Sequence, residues 1–458
     1  MSLYSLKFLL FFLIFTALVQ LTKTERRQHW VFLLANALFY ACWDARFLLL
    51  LLGVIGVCYA AAGLFARSGK PAVIYAGVTA CLLLLGFCKY CNFFLSSFAR
   101  AFGLGQVGTL NIILPLGISF YLFQAMSYLL DVKQGTIPAE RDFVKLAAYL
   151  SFFPQITSGP IVKAHDFLPQ LDRVHRLKKE NVYLGMTRFV TGLTKKVVIA
   201  DRIGVAVNAV FAAPAAYDGL SIAMAVIGYS LQIYCDFSGY SDMAIGIATI
   251  WDFDLGKNFN MPYLAENPSD FWRRWHISLS TWFRDYVYIP LGGSRRGKVR
   301  TCVNLMLTMV LSGLWHGANT TYLLWGLYHG MGCVVHRLLG KRGAQKTPWQ
   351  RVRCTAANCL FVSLGWVIFR AENLGQALEI FRGLFRGTGV CYVSVFTVVY
   401  GLVIALTHLY ARFRRGGNAP AAWLDLDTFR GKFLLCVWVF LIAMLMYCGN
   451  SAFIYANF

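Results

Sequence analysis

Apolar residues run through this chain in stretches of about twenty, the length of helix that crosses the hydrocarbon core of a bilayer. Lysine and arginine sit in short clusters between the apolar runs. Candidate spans lie at 4–22, 30–43, 46–66, 71–94, 110–130, 144–162, 186–212, 219–250, 302–319, 320–336, 354–369, 390–411 and 433–450. A backbone in lipid must satisfy its own hydrogen bonds, so long apolar runs without short alternation predict helices and not a barrel. A soluble domain of this length would carry about 25% charged residues; here 14% of 458 residues are charged and 58% are hydrophobic. The expected fold class is an all-α polytopic membrane protein forming a single domain, 1–458, with about 11–13 transmembrane or re-entrant helices.

The net charge of +22 does not point to nucleic acid, because the basic residues sit between apolar runs in the positive-inside pattern. The loops Lys23 to Arg27, Arg67 to Lys70, His175 to Lys179, Arg295 to Arg300, Arg337 to Arg353 and Arg412 to Arg415 are accordingly placed in the cytoplasm. Alternation from there puts the tail, Ser451 to Phe458, outside it. Leu378, Phe381, Leu384 and Phe385 line one face of Leu374 to Arg386, which predicts an interfacial amphipathic helix on that outer side. Segments around Pro154, Gly159-Pro160 and His276 are too interrupted to cross simply and read as re-entrant or interfacial. The run Tyr4 to Leu21 lacks a small-residue cleavage pattern and is read as a retained span. Thirteen cysteines lie mostly within spans and imply no disulfide framework.

Several familiar motifs fail on context. Gly103 to Gly108 spells G-x-G-x-x-G but has no strand before it, and Gly292 to Lys298 has phosphate-loop spacing with Val299 where a Ser or Thr is required. Cys88 and Cys91 form one C-x-x-C with no second pair, so no metal site is expected. Neither H-E-x-x-H nor G-x-S-x-G is present.

Four polar constellations remain. Trp315-His316-Gly317 lies within apolar sequence, with Asn319 three residues on; an ionisable residue at bilayer depth is costly and marks a functional site by default. Phe271 to Ser278 holds Arg273, Arg274 and His276 among aromatics. Gln232 to Asp242 carries Asp236 and Asp242, and the tail carries Tyr455.

Desolvation favours the neutral form of a buried imidazole, leaving a nitrogen able to take a proton from a hydroxyl. With no Ser or Cys nucleophile motif nearby, the simplest chemistry is acyl transfer in which His316 deprotonates an alcohol and the donor is a thioester. A hydrogen bond from His276 or Asn319 to the other ring nitrogen would fix its tautomer. Asp236 and Asp242 either pair within the bundle or line a tunnel. Arg273 and Arg274 either anchor the chain at the headgroups or hold donor phosphates.

Phe152-Phe153-Pro154-Gln155 with Gly159-Pro160-Ile161, Gln232-Ile233-Tyr234 running into Asp236 to Ala244, Phe271 to Ser278, Phe283 to Tyr286 with Pro290 to Gly293, and Trp315 to Asn319 follow one another in a set order. Together they closely resemble the membrane-bound O-acyltransferase family in its bacterial alginate O-acetyltransferase branch, over 114–369. The resemblance implies tilted helices around a central tunnel, with His316 as catalytic histidine and His276 as a second, less strictly required one. Phe453-Ile454-Tyr455-x-x-Phe458 is similar to a C-terminal motif of relatives that export acyl groups, which implies a brief acyl carrier at Tyr455; an aromatic anchor is the alternative.

The resemblance further implies a multi-pass protein of the bacterial cytoplasmic membrane. Its co-substrate would be acetyl-CoA or an acyl carrier thioester, with no bound cofactor. Its partners would be an extracytoplasmic SGNH-hydrolase-like acetyltransferase and a polysaccharide such as alginate. The competing readings are D-alanyl transfer from a carrier protein and, in a different class, a polysaccharide or proton-coupled transporter, which the lack of an internal repeat disfavours.

Overall fold

The computed structural model describes residues 1–103, 108, 110–339, 346–413, 424–447 and 449. Among these it contains eighteen α-helical segments and no strand beyond one isolated bridge between Tyr217 and Val390. The chain is an all-α polytopic membrane protein. Its described residues divide into two compact units, Met1–Phe189 with Ser241–Gly256, and Val190–Tyr240 with those from Lys257 onward.

The first unit holds α1 (Leu6–Leu21), α2 (Glu25–Ser68), α3 (Pro71–Ala101), α4 (Ile118–Gln134), α5 (Phe143–Leu150), α6 (Phe153–Ile156), α7 (Ala164–Phe167) and most of α8 (Lys179–Leu193). The two spans expected at 30–43 and 46–66 are one 44-residue helix interrupted at Asp44, whose φ of −159° and ψ of 114° are not helical. Its carboxylate accepts bonds from the backbone and guanidinium of Arg46, a local competitor to the helical ladder. Helix α4 is buried on nearly every side. It starts at Gly117 in the left-handed region (φ 69°), where any Cβ would strike the Ile156 carbonyl oxygen.

The broken stretch from Ser151 to Pro160 needs outside partners for its backbone, as irregular chain at membrane depth requires. Asn36 of α2 supplies them: its amide donates to the Ala148 carbonyl at 3.1 Å and accepts from the Phe153 N–H at 2.9 Å. Gln155 folds back to donate to the Tyr149 carbonyl. A single buried asparagine thus completes the bonding around this interrupted segment.

The second unit holds α9 (Asp201–Ala212), α10 (Gly219–Ile250) up to Tyr240, α11 (Pro268–Trp272), α12 (Ile277–Phe283), α13 (Gly297–His316), α14 (Thr320–Leu339), α15 (Pro348–Arg370), α16 (Leu374–Gly383), α17 (Val395–Phe413) and α18 (Phe429–Leu445). By length and apolar composition alone, four helices among the described residues suffice to cross a membrane: α2, α3, α10 and α15. The other predicted spans are shorter or carry more polar residues and depend on neighbours. A helix is present there as α16; Ala377, Ile380 and Gly383 are buried, while Leu378, and Phe385 just beyond its end, are exposed.

Helices α13 and α14 pack closely along their length. Gly326 and Gly330 lie four apart on α14 and let the backbones approach: a Cβ at 326 would stand 2.6 Å from the Met309 carbonyl oxygen, and one at 330 would stand 2.7 Å from Met306 Sδ. Small residues at this spacing let membrane helices meet through van der Waals contact, since lipid provides no hydrophobic drive.

In the first unit His175, on the loop between α7 and α8, is buried and stacked on Phe253 at 3.9 Å, and its Nε2–H donates to the Gln170 carbonyl. Burial lowers its pKa from 6.5 to about 4. The unfolded chain takes up this proton at higher pH than the folded one, so the neutral ring stabilises the fold above pH 6.5 and that contribution is lost as the pH falls toward 4. Thermal unfolding in detergent should therefore show a steeper loss of stability over that window in the native protein than in His175→Gln.

Candidate functional site

Helix α13 ends at His316, where Gly317 turns extended (φ 175°, ψ 164°). The imidazole is 3% exposed. Three aromatic rings stand edge-on around it, Trp315 at 4.9 Å, Trp325 at 5.2 Å and Phe369 at 5.1 Å between centroids, and Tyr322 lies tilted at 6.4 Å. Trp325 comes from α14 and Phe369 from α15, so three helices build this wall. The glycine contact of α13 with α14 holds Trp325 against His316.

His276 precedes α12 in the left-handed region (φ 42°), an uncommon backbone for a non-glycine residue. Its Nδ1–H donates to Asn258 Oδ1 at 3.1 Å; the same oxygen accepts from the Ser278 hydroxyl at 2.9 Å. This partner fixes the tautomer and leaves Nε2 unprotonated in the neutral ring. Phe237 of α10 abuts the ring at 4.7 Å. Trp315 makes edge contact with both imidazoles, at 6.1 Å from His276 and 4.9 Å from His316. The structure thus gathers His316, His276 and Trp315 into one aromatic cluster within the second unit.

Asn319 takes a different place from the one expected. Because the helix stops at His316, residue 319 is not one turn further along α13. Its Oδ1 accepts from the Thr321 N–H at 3.1 Å and its Nδ2 donates to the Glu372 carbonyl at 2.8 Å. It immediately precedes α14 and ties that end to the chain after α15.

Asp236 is fully buried in an ion triad. Lys196 Nζ lies 2.7 Å from Asp236 Oδ1 and 2.7 Å from Asp201 Oδ1, and all three side chains are less than one-tenth exposed. Lys196 is delivered by a π-helical segment, Thr194–Ala200, a widened turn of the kind that often accompanies function. The triad locks α10 to the start of α9, and the residue after Asp236 is the Phe237 that meets His276. Asp242, in the first unit, pairs with Arg188 at 3.1 Å. Arg274 is held by Asp270 at 3.0 Å, whereas Arg273 is largely exposed and 3.8 Å from the same carboxylate. Tyr455 and its motif lie outside the described residues.

Sequence reasoning missed Lys196, Asn258, Trp325, Phe369 and His329. Two of these carried a usable signal: Lys196 is a cation beside the apolar run Val197 to Ala200, and His329 is a histidine within an apolar helix, the same mark that singled out His316.

An all-helical membrane architecture with an aromatic-walled histidine pair and broken helices defines the class once the comparisons are added. Residues 136–373 match the model of the membrane-bound O-acyltransferase family. The chain belongs to that family and is an O-acyltransferase. It is 42% identical over 388 residues to a probable alginate O-acetylase, AlgI, of Pseudomonas putida, covering 82% of this chain and 78% of that protein. A peptidoglycan O-acetyltransferase of Helicobacter pylori is 38% identical over 395 residues, 79% of this chain and 75% of the relative. A teichoic acid D-alanyltransferase of Bacillus subtilis is 29% identical over 280 residues, 57% and 70% respectively.

Two substitutions probe the supports of this site. Gly326→Ala overpacks the α13–α14 contact and should cost about 1–3 kcal/mol, read as a lowered unfolding temperature in detergent. Lys196→Met strands two carboxylates in the interior and should cost about 3–5 kcal/mol, read in the same assay or as loss of folded protein.

Proposed function

We propose that the protein carries an acetyl group from a cytoplasmic thioester, acetyl-CoA, across the bacterial cytoplasmic membrane for O-acetylation of an exported polysaccharide such as alginate. The observation that carries this reading is the buried His316 ring at the end of α13, walled by Trp315, Trp325 and Phe369. A neutral imidazole there takes the proton of an incoming hydroxyl as that oxygen attacks the acyl carbon. The thiolate leaves and recovers the proton. His276, tautomer fixed by Asn258, acts beside it. Tyr455 is the first hydroxyl acceptor on the outer side, and an SGNH-hydrolase-like acetyltransferase then moves the group to the glycan. Arg273, exposed and only distantly paired, is free to meet donor phosphates or lipid headgroups. Acetyl is preferred to D-alanyl because identity is higher to the two acetylating relatives than to the D-alanyltransferase.

Purified protein in vesicles, supplied with labelled acetyl-CoA, should place label on the tail or on an outer acceptor. His316→Ala should abolish that transfer while the protein stays folded and inserted; a fully active variant would remove the base. Tyr455→Phe keeps the ring and removes the hydroxyl, and should strongly reduce transfer; undiminished activity would leave Tyr455 an anchor. Label arriving only from an acyl carrier protein would favour the D-alanyl-type donor.

A further inference from the structure

Behind the His316 wall stands a third histidine. His329 of α14 is 0% exposed, one helical turn beyond Trp325. It forms a closed group of three rings with Trp325 at 4.9 Å and Trp272 at 5.1 Å, the two indoles being 5.4 Å apart. Among the described residues, neither ring nitrogen of His329 has a hydrogen-bond partner, and neither does the indole nitrogen of Trp325 or of Trp272. Buried polar atoms are nearly always bonded, and low dielectric makes an unpartnered one costly. Four such atoms on three touching rings is a concentration that packing does not explain. Gly365 of α15 permits it: a Cβ there would stand 2.6 Å from His329 Nε2.

The chemistry of the group specifies its ligand. Two indoles donate only, and a neutral imidazole donates once and accepts once. The set is rich in donors, carries no formal charge and shares Trp325 with His316 at 5.2 Å. It suits a neutral oxygen acceptor on which negative charge develops. We infer that Trp325, His329 and Trp272 form the donor set for the carbonyl oxygen of the transferred acyl group. This rests on the reading of His316 as the base. As His316 takes the hydroxyl proton, the acceptor oxygen bonds to the acyl carbon and the carbonyl π pair moves onto its oxygen, held by these N–H groups. The pair returns, the carbon–sulfur bond breaks, and the thiolate takes the proton from His316.

The test uses the full chain in vesicles with acetyl-CoA as the probe, measuring kcat, KM and unfolding temperature. Trp325→Phe and His329→Phe keep aromatic packing and remove donors; each should lower kcat roughly 100-fold, with KM and unfolding temperature little changed. His329→Gln retains a donor and should recover most of the lost kcat. An unchanged kcat in His329→Phe would overturn the assignment, as would an equal loss in His329→Phe and His329→Gln accompanied by a lowered unfolding temperature, which would make the ring structural only. His316→Ala, run in parallel, tests the base separately: its activity could fail to fall while the donor variants still report on the carbonyl site.

Discussion

Hydrocarbon offers no partner to a peptide group or a charge, and the structure is shaped by that lack. Where the chain runs as unbroken helix the backbone satisfies itself. Where it breaks, a buried side chain completes the bonding: Asn36 beside the Pro154 segment, and Asn258 beside the His276 turn. Asn258 also receives Ser278, so a single amide oxygen holds both the turn and the tautomer of the histidine in it. Positioning and chemistry here share the same atoms.

The same constraint governs charge. Asp236 and Asp201 are tolerable in the interior because Lys196 lies 2.7 Å from each, and the pairing fixes α10 where Phe237 must press on His276. Removing water also strengthens each remaining interaction. A buried group in which, among the described residues, the indole nitrogens of Trp272 and Trp325 and both ring nitrogens of His329 have no hydrogen-bond partner is suited to stabilising charge that exists only during reaction. Gly326 and Gly330 of α14 serve this arrangement from a distance, since close backbones bring Trp325 up to His316 at the end of α13.

Much of the layout was legible in the chain itself. Helix α10 spans 219–250 as read from its apolar run, and the separation of the second and third expected spans falls at Asp44. The interruptions at Pro154 and before His276 were visible as proline, glycine and charge within apolar sequence. The ordered motifs from Phe152 to Asn319 marked the family. The expected helical neighbour relation of Asn319 with His316 was not kept, because Gly317 ends the helix before that turn can form. The partners of Asp236 and Asp242 were also hidden, since Lys196 and Arg188 lie 40 and 54 residues away in sequence and periodicity carries no information about which helices meet.

What the sequence alone determined is whatever depends on a residue's own transfer cost into lipid: helices as the spanning elements, the basic loops, and a few histidines and carboxylates standing out as expensive. What only the tertiary structure decided is which of those expensive groups meet and which neighbours line them. Trp315 between two imidazoles, Lys196 between two carboxylates and His329 among indoles are contacts across separate helices. Their existence depends on how closely the helical backbones approach, a distance set by interlocking shapes and not by any local run of residues.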